Sequence, residues 1–298
     1  MQTGLFIYNP LSGDRRIPHQ LDYIIQKAQK HEMCLTPYRI EDNNEQLAAV
    51  LQANKYDFVI LSGGDGTLNT TVNFLLKNKY RLPIGFIPSG TCNDFARSLN
   101  LPASLSECLE IIFAGHTIAV DIGVINDNKY FLNTCAGGLF VDVSFNTHDE
   151  LKRNFGPLAY YLKALGEVAH KKSFPLKIIT DSDCFEDKAL LFCILNGTDV
   201  GGFPNLLKDA DISDGLMDII IIKNCAHIDL ANLFFRVLSR EPINNKYALR
   251  LTTKECTIIG PDNVQLSVDG EKGPILPIKV KFLHQALKVF VRQKEFTK

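Results

Sequence analysis

The first third of the chain alternates short apolar runs with stretches in which apolar residues recur every three or four positions, the pattern of strands feeding amphipathic helices. Strands are predicted at Leu5 to Asn9, Leu35 to Ile40, Phe58 to Leu61 and Ile84 to Ile87, with helices from about Pro18 to His31 and Asn44 to Gln52. A third helix follows the third strand, carrying Leu68, Val72, Leu75 and Leu76 on one face. This alternation predicts a mostly parallel α/β layer whose ligands gather at the carboxyl ends of the strands.

After Asp121-Ile122-Gly123 the repeat changes from helical toward alternating. Val120 to Asn126 and Lys129 to Ala136 read as a hairpin turning at Asp127-Asn128. Strands follow at Leu176 to Thr180, Ala189 to Asn196, Leu216 to Ile222, Ala248 to Thr253, Glu255 to Ile259, Val264 to Val268, Ile278 to Phe282 and Leu287 to Val291. Helices near Leu139 to Thr147, Gly156 to His170 and His227 to Ser239 interrupt what is otherwise a largely antiparallel sheet.

A chain of 298 residues is long enough for two domains. Its formal net charge of −1 gives no drive toward nucleic acid, and 46% hydrophobic with 22% charged residues is ordinary for a globular protein. Met1-Gln2-Thr3-Gly4 runs straight into the first strand with no basic region or cleavage site, and no apolar run approaches the ~20 residues that cross a bilayer, so a cytosolic location is expected. Eight cysteines, at 34, 92, 108, 135, 184, 193, 225 and 256, show no paired spacing and read as small core residues rather than zinc ligands or disulfides.

Candidate chemistry is concentrated at Leu61-Ser-Gly-Gly-Asp-Gly-Thr-Leu-Asn69, where a buried strand meets a glycine turn and then a helix. Glycines let the backbone approach a ligand without Cβ interference, and the helix start offers unpaired N–H groups to an anion such as a polyphosphate. No lysine follows as in the common P-loop, and the third glycine of the dinucleotide fingerprint is missing. Two more loops occupy equivalent places after strands: Asn9-Pro-Leu-Ser-Gly13 and Pro88-Ser-Gly-Thr-Cys-Asn-Asp-Phe-Ala-Arg97. Turn preference can account for the first, and the alternative is that Asn9 and Ser12, with loop amides, face the same phosphates as Gly63 to Thr67. An N-cap would need only one of Thr91, Asn93 and Asp94.

Gly63-Gly-Asp-Gly-Thr67 resembles a run shared by NAD kinases, 6-phosphofructokinases and lipid kinases. Together with Asn9 to Gly13, Gly90-Thr-Cys-Asn-Asp-Phe-Ala-Arg97 and Val268-Asp-Gly-Glu271, it makes the chain similar, over nearly its whole length, to bacterial diacylglycerol-kinase-type lipid kinases. The resemblance implies an α/β plus β-rich fold: an N-terminal domain of NAD-kinase/phosphofructokinase type over 1–122 and a mainly antiparallel β-sandwich domain over 123–298, with a nucleotide cleft between them. The last residues would be free to pack back on the first domain. It implies transfer of the γ-phosphoryl of ATP, with Mg2+, to the hydroxyl of a membrane lipid, diacylglycerol giving phosphatidic acid. Another lipid alcohol, a sphingoid base or NAD as acceptor, and a nucleotide-binding regulator without catalysis, are the alternatives.

By the same resemblance, triphosphate contacts fall on Asn9, Pro10, Leu11, Ser12 and Gly13, on Gly63, Gly64, Asp65, Gly66, Thr67, Leu68 and Asn69, and on Gly90, Thr91 and Asn93. Glu271 would be the general base, with Asp65 as the second catalytic residue. Asp65, Asp94 and Asp121 would hold Mg2+ through waters, and acids converging on a triphosphate do require a cation. A structural Mg2+ is implied at Asp211, Asp214 and Leu216. The family's Thr after its second strand is replaced here by Ile40 or Glu41. A lipid acceptor also implies transient membrane contact from the cytoplasmic side. Candidate surfaces are Phe203 to Lys208 and the helix Leu230 to Arg240, whose Leu233, Phe234, Val237 and Leu238 would be exposed unless the helix faces the core, the commoner arrangement for an amphipathic helix. An edge strand of the second domain could pair two chains.

Overall fold

The computed structural model describes residues 1–13, 15–41, 45–139, 141, 173–198, 207, 209–239, 241 and 246–293. The chain divides into two compact units, Met1–Val120 with Gln285–Lys298, and Asp121–His284.

In the first unit, strands β1 (Gln2–Tyr8), β2 (Met33–Arg39), β3 (Phe58–Gly63) and β4 (Ile84–Pro88) form a parallel sheet in the order β2-β1-β3-β4. The end of the last strand, β15 (Ile278–Phe290), joins beside β4 with Val289 opposite Ile84. β3 is buried along its whole length, which is why it reads as an unbroken apolar run. Its neighbours are in register at their carboxyl ends: Tyr8 stands opposite Ser62, and Gly63 opposite Pro88. The loops that follow β1, β3 and β4 therefore emerge side by side.

Helices cover this sheet. The predicted helix from Pro18 is split: a 3-10 turn, Ile17–Gln20, leads into α1 (Leu21–Lys30), which buries Ile24 and Ala28. Next come α2 (Glu45–Ala53), α3 (Asp65–Lys77) and the short α4 (Asp94–Ser98). Between Leu101 and Thr117, where no element is predicted, lies α5 (Leu105–Phe113). Its signal was present, since Cys108, Leu109 and Ile112 share a face that packs with Phe6, Ile24 and Ile60. Each such fully buried side chain contributes about 1.5–3 kcal/mol relative to exposure.

The second unit is antiparallel. β5 (Thr117–Ile125) turns into β6 (Lys129–Phe131) as the predicted hairpin, but the turn begins one residue early, at Asn126, with Asn126 and Asp127 at positive φ. The predicted second arm breaks at Leu132-Asn133, after which β7 (Thr134–Gly138) pairs elsewhere. β8 (Phe174–Thr180), β9 (Cys184–Leu195), β10 (Met217–Lys223), β11 (Ala248–Thr253), β12 (Glu255–Ile259), β13 (Gln265–Val268) and β14 (Glu271–Ile275) follow. β9 starts earlier than expected because its charged first half pairs with β8 before its second half pairs with β7. β15 is one strand rather than two, with Gln285 at φ 49 where the apolar alternation falters.

β10 shows why the sheet has two covered faces. Met217, Ile219 and Ile221 enter a core with Phe131, Phe192 and Ile258, while Ile220 and Ile222 face α6 (His227–Leu238) through its Leu230 and Leu233. Leu233 is therefore core, the commoner arrangement expected for this helix. Among the described side chains of α6, the exposed large apolar ones are Ile228 and Phe235. Among the described residues no helix is long and apolar enough to cross a membrane. The predicted helix Gly156 to His170 lies outside the described residues. So do Leu139 to Thr147 except for Leu139 and Val141, and Phe203 to Lys208 except for the buried Leu207.

Candidate active site

In the first unit the three glycine-bearing loops touch. Gly64, the residue before α3, and Gly90 pack backbone to backbone: a Cβ on Gly90 would lie 2.5 Å from the Gly64 Cα and 2.9 Å from Asn93 Oδ1. Gly13, at φ +56, approaches Ser89 so closely that a Cβ would fall 2.1 Å from its carbonyl oxygen. These two contacts require glycine, and they draw the loops into one backbone-lined rim.

Side chains fix the rim. Asn9 Nδ2 donates to Thr67 Oγ1 at 3.1 Å, while Asn9 Oδ1 accepts from the Leu11 amide at 2.9 Å. Asn93, at φ 53, is tied to Gly90 in both directions, accepting from its amide at 2.9 Å and donating to its carbonyl at 2.8 Å. Asn93 is therefore a clamp on the loop. The Asp65 carboxylate accepts from the amides of Asp94 and Phe95 at 3.2 and 3.4 Å, capping α4 from the first turn of α3. Asp94 is buried and ion-paired to Arg97.

The other predicted contacts are distributed around this frame. Ser12 and Thr67 are half-buried, and Leu11 and Thr91 exposed. Leu68 is fully buried, so its side chain is core. Asn69 is buried too and accepts from Asn73 Nδ2 at 3.1 Å. The amides at the start of α3 have no carbonyl four residues back within the helix, so this end presents donors and the positive pole of its dipole. Ile40 directly follows β2 and donates its amide to the Tyr8 carbonyl at 2.9 Å; no side-chain hydroxyl stands there.

In the second unit Glu271 opens β14 across a two-residue turn, with Val268 opposite Glu271 and the intervening Asp269 and Gly270 at φ 49 and 85. Two positive φ values match the tight hairpin that Asp-Gly favours. Glu271 is exposed, and among the described residues no hydrogen bond or ion pair occupies its carboxylate. The residue that sequence reasoning missed is Asp269. Its buried carboxylate accepts from three consecutive amides, Leu132 at 2.7 Å and Asn133 and Thr134 at 2.8 Å each. Those amides lie at the break between β6 and β7, so no local pattern around Val268 announces them.

Asp121 needs correction. It sits inside β5, fully buried, rather than at the end of an α/β segment. Its carboxylate accepts from the Gly215 amide at 2.6 Å and lies 3.0 Å from His284 Nδ1, which anchors the loop before β10. In that loop Asp211 accepts from the Ser213 amide at 2.9 Å and hydroxyl at 2.7 Å, and Asp214 from the Leu216 amide at 2.8 Å. The Asp214 carboxyl is raised above the ordinary range, first by partial loss of water although the residue as a whole is exposed. The carboxylates of Asp211, Asp121 and Asp218 add to this against the opposing Leu216 hydrogen bond.

Among the described residues no three His, Cys, Asp or Glu side chains cluster closely enough to hold a metal ion. The donors nevertheless fit a hard cation held indirectly. Asp65 and Asp94 contribute carboxylate oxygens, the donor type that suits outer-sphere contact to the waters of such an ion. At 211–216 the carboxylates that add to the raised Asp214 carboxyl are a crowding that a cation would relieve.

Comparison with known proteins agrees with this architecture. The family described as diacylglycerol kinase catalytic domain matches residues 3–125, and that described as YegS C-terminal NAD kinase beta sandwich-like domain matches residues 138–291. A diacylglycerol kinase of Staphylococcus epidermidis is 34% identical over 292 residues, covering 97% of this chain and 92% of its own. One of Staphylococcus aureus is 34% identical over 289 residues, covering 95% and 90%. Among solved structures, a diacylglycerol kinase from Bacillus anthracis str. Sterne superposes with a TM-score of 0.80 at 25% identity, covering 98% of this chain and 97% of that one. A second chain from the same organism reaches 0.84 at 27% identity with the same coverage. Fold and sequence together define an ATP-dependent lipid kinase. The chain belongs to the diacylglycerol kinase family.

The Gly64–Gly90 contact yields a direct test. Gly90→Ala is expected to force the loops after β3 and β4 apart and weaken ATP affinity by on the order of tenfold or more, with the melting temperature little changed. Isothermal titration with a non-hydrolysable ATP analogue measures it. Wild-type affinity would show that the rim does not hold the nucleotide.

Proposed function

We propose that the protein transfers the γ-phosphoryl group of MgATP to the hydroxyl of diacylglycerol at a membrane surface, giving phosphatidic acid and ADP. The observation that carries this reading is the rim in which Gly13, Gly64 and Gly90 bring three loops into backbone contact beside the amino end of α3. Phosphate oxygens are matched there by main-chain donors, and the absence of Cβ atoms lets them approach. Asn9 and Asn93 keep that backbone in place, so the site is organised before substrate arrives.

Glu271 is proposed as the base. The lipid oxygen forms a bond to the γ-phosphorus as the bond to the β–γ bridging oxygen breaks, ADP departs, and the hydroxyl proton passes to the Glu271 carboxylate. Phosphoryl transfer of this kind asks for positioning and charge neutralisation more than covalent catalysis. Mg2+, when bound, would offset the phosphate charge. Asp65 and Asp94 would hold its waters, and Asp211, Asp214 and the Leu216 carbonyl would hold a second, structural ion.

A screen of lipid acceptors with labelled ATP and Mg2+ tests the substrate. Diacylglycerol in mixed micelles should give labelled phosphatidic acid at a rate that exceeds those of phosphatidylglycerol, a sphingoid base and undecaprenol. Label appearing only in one of the others, or in NAD, would overturn the assignment.

A further inference from the structure

The second unit carries a basic pocket that phosphoryl transfer does not use. Lys188, Lys223, Lys246, Asn224, Asp187 and Tyr247 line a cavity of about 340 Å3. Three chain segments meet to form it. The Lys223 amide donates to the Tyr247 carbonyl at 2.8 Å, the Asn224 amide to the Lys188 carbonyl at 3.0 Å, and the β9–β10 ladder slips its register between Ile222 and Lys223.

Among the described residues none of the three lysines has an ion-pair partner. Two stand over rings instead, Lys223 Nζ 5.7 Å from the Phe185 centroid and Lys246 Nζ 4.6 Å from that of Tyr247. The acids facing them are Asp187, which takes the Lys188 amide at 2.7 Å, and Asp229 in the first turn of α6. Tyr247, and after it Asp229, favours the Lys246 ammonium form. Three cations face two acids. The amino end of α6, three residues past Asn224, adds its positive pole.

α6 supplies the second observation. Ile228 is 68% and Phe235 56% exposed. Seven positions apart, they lie within about 20° of each other around the helix, on the side away from the buried Leu230 and Leu233. Arg236, paired with Glu241 at 3.6 Å, flanks them.

We propose that this pocket and the exposed face of α6 dock the protein on an anionic bilayer, the lysines taking headgroup phosphates while Ile228 and Phe235 enter the interface. The inference rests on the reading above only in that a lipid acceptor requires contact with a bilayer. Charge and shape select the occupant. Phosphodiester headgroups supply the negative charge and the hydrocarbon boundary takes the apolar side chains. A free anion would leave Ile228 and Phe235 in water, and a second copy packed on the same patch would set lysines against lysines.

Vesicle flotation of the full chain tests this, comparing phosphatidylcholine with an equimolar mixture of phosphatidylcholine and phosphatidylglycerol. Wild type should float with the mixed vesicles only. The double variant Lys223→Gln/Lys246→Gln should lose on the order of tenfold to thirtyfold in partitioning. Ile228→Ser/Phe235→Ser should lose a comparable amount that persists when salt screens the lysines. Wild-type flotation by both variants overturns the proposal, as does release by inorganic phosphate beyond that by chloride of equal ionic strength. Conversion of a dimer to monomer by either variant, seen by sedimentation, also overturns it. Turnover of a short-chain, monomeric acceptor should be unchanged in both variants. If no acceptor is phosphorylated while flotation still responds to these substitutions, the kinase reading fails and the docking surface stands.

Discussion

Glu271→Gln is expected to cut lipid phosphorylation by about 10²–10⁴-fold, the usual worth of a positioned base, while leaving ATP affinity intact. The substitution is nearly isosteric, so the Asp269-Gly270 turn and the pairing of Val268 with Glu271 survive it. What changes is the ability to accept a proton. Because no partner among the described residues holds the Glu271 carboxylate, its loss should not disturb folding, and stability should stay within about 0.5 kcal/mol of wild type. Initial rates with labelled ATP, nucleotide titration and thermal unfolding separate the three effects. Undiminished turnover would remove Glu271 from the mechanism, and a loss of ATP affinity equal to the loss of rate would reassign it to binding.

The glycine rim was legible in sequence because its determinants are local. A strand ending in Gly63-Gly64, a helix starting at Asp65 and an Asn clamp three residues after Gly90 each sit within one short segment, and turn chemistry reads such segments directly. The parallel sense of β1, β3 and β4 followed from the strand and helix alternation, while their side-by-side order came only with the structure. The Asn93 side chain bonds the backbone of Gly90 in both directions, a structural role that spacing alone does not reveal.

Long-range partners were not legible. Asp121 looked like another acid at a strand end, but Gly215 and His284, far along the chain, claim its carboxylate. Lys129 to Ala136 kept its apolar alternation through Leu132-Asn133, so nothing in the pattern showed that the strand breaks there to offer amides to Asp269. In the same way Leu233 on α6 could be assigned to solvent or core only once Ile220 and Ile222 of β10 were in place. Periodicity finds a helix face; it does not say which neighbour covers it.

Asp269→Asn carries the second large effect, and it should separate from the first. The Asp269 carboxylate receives one amide on one oxygen and two on the other. An amide side chain in either orientation turns an NH2 toward at least one backbone N–H, losing a charge-assisted bond and leaving a buried donor unpaired. The cost should be at least ~3 kcal/mol, or roughly 6–12 °C in melting temperature for a unit of this size. Turnover should fall too, because the same carboxylate sets the turn from which Glu271 projects and ties it to the break between β6 and β7. Measured below the melting temperature, Asp269→Asn should lower kcat and leave ATP affinity unchanged, whereas Glu271→Gln lowers kcat with no change in melting. If Asp269→Asn melts with wild type, the Asp-Gly hairpin holds its own shape and the three amides are incidental to it. If it melts early but retains full kcat while folded, Asp269 serves stability alone and Glu271 is positioned by its pairing with Val268.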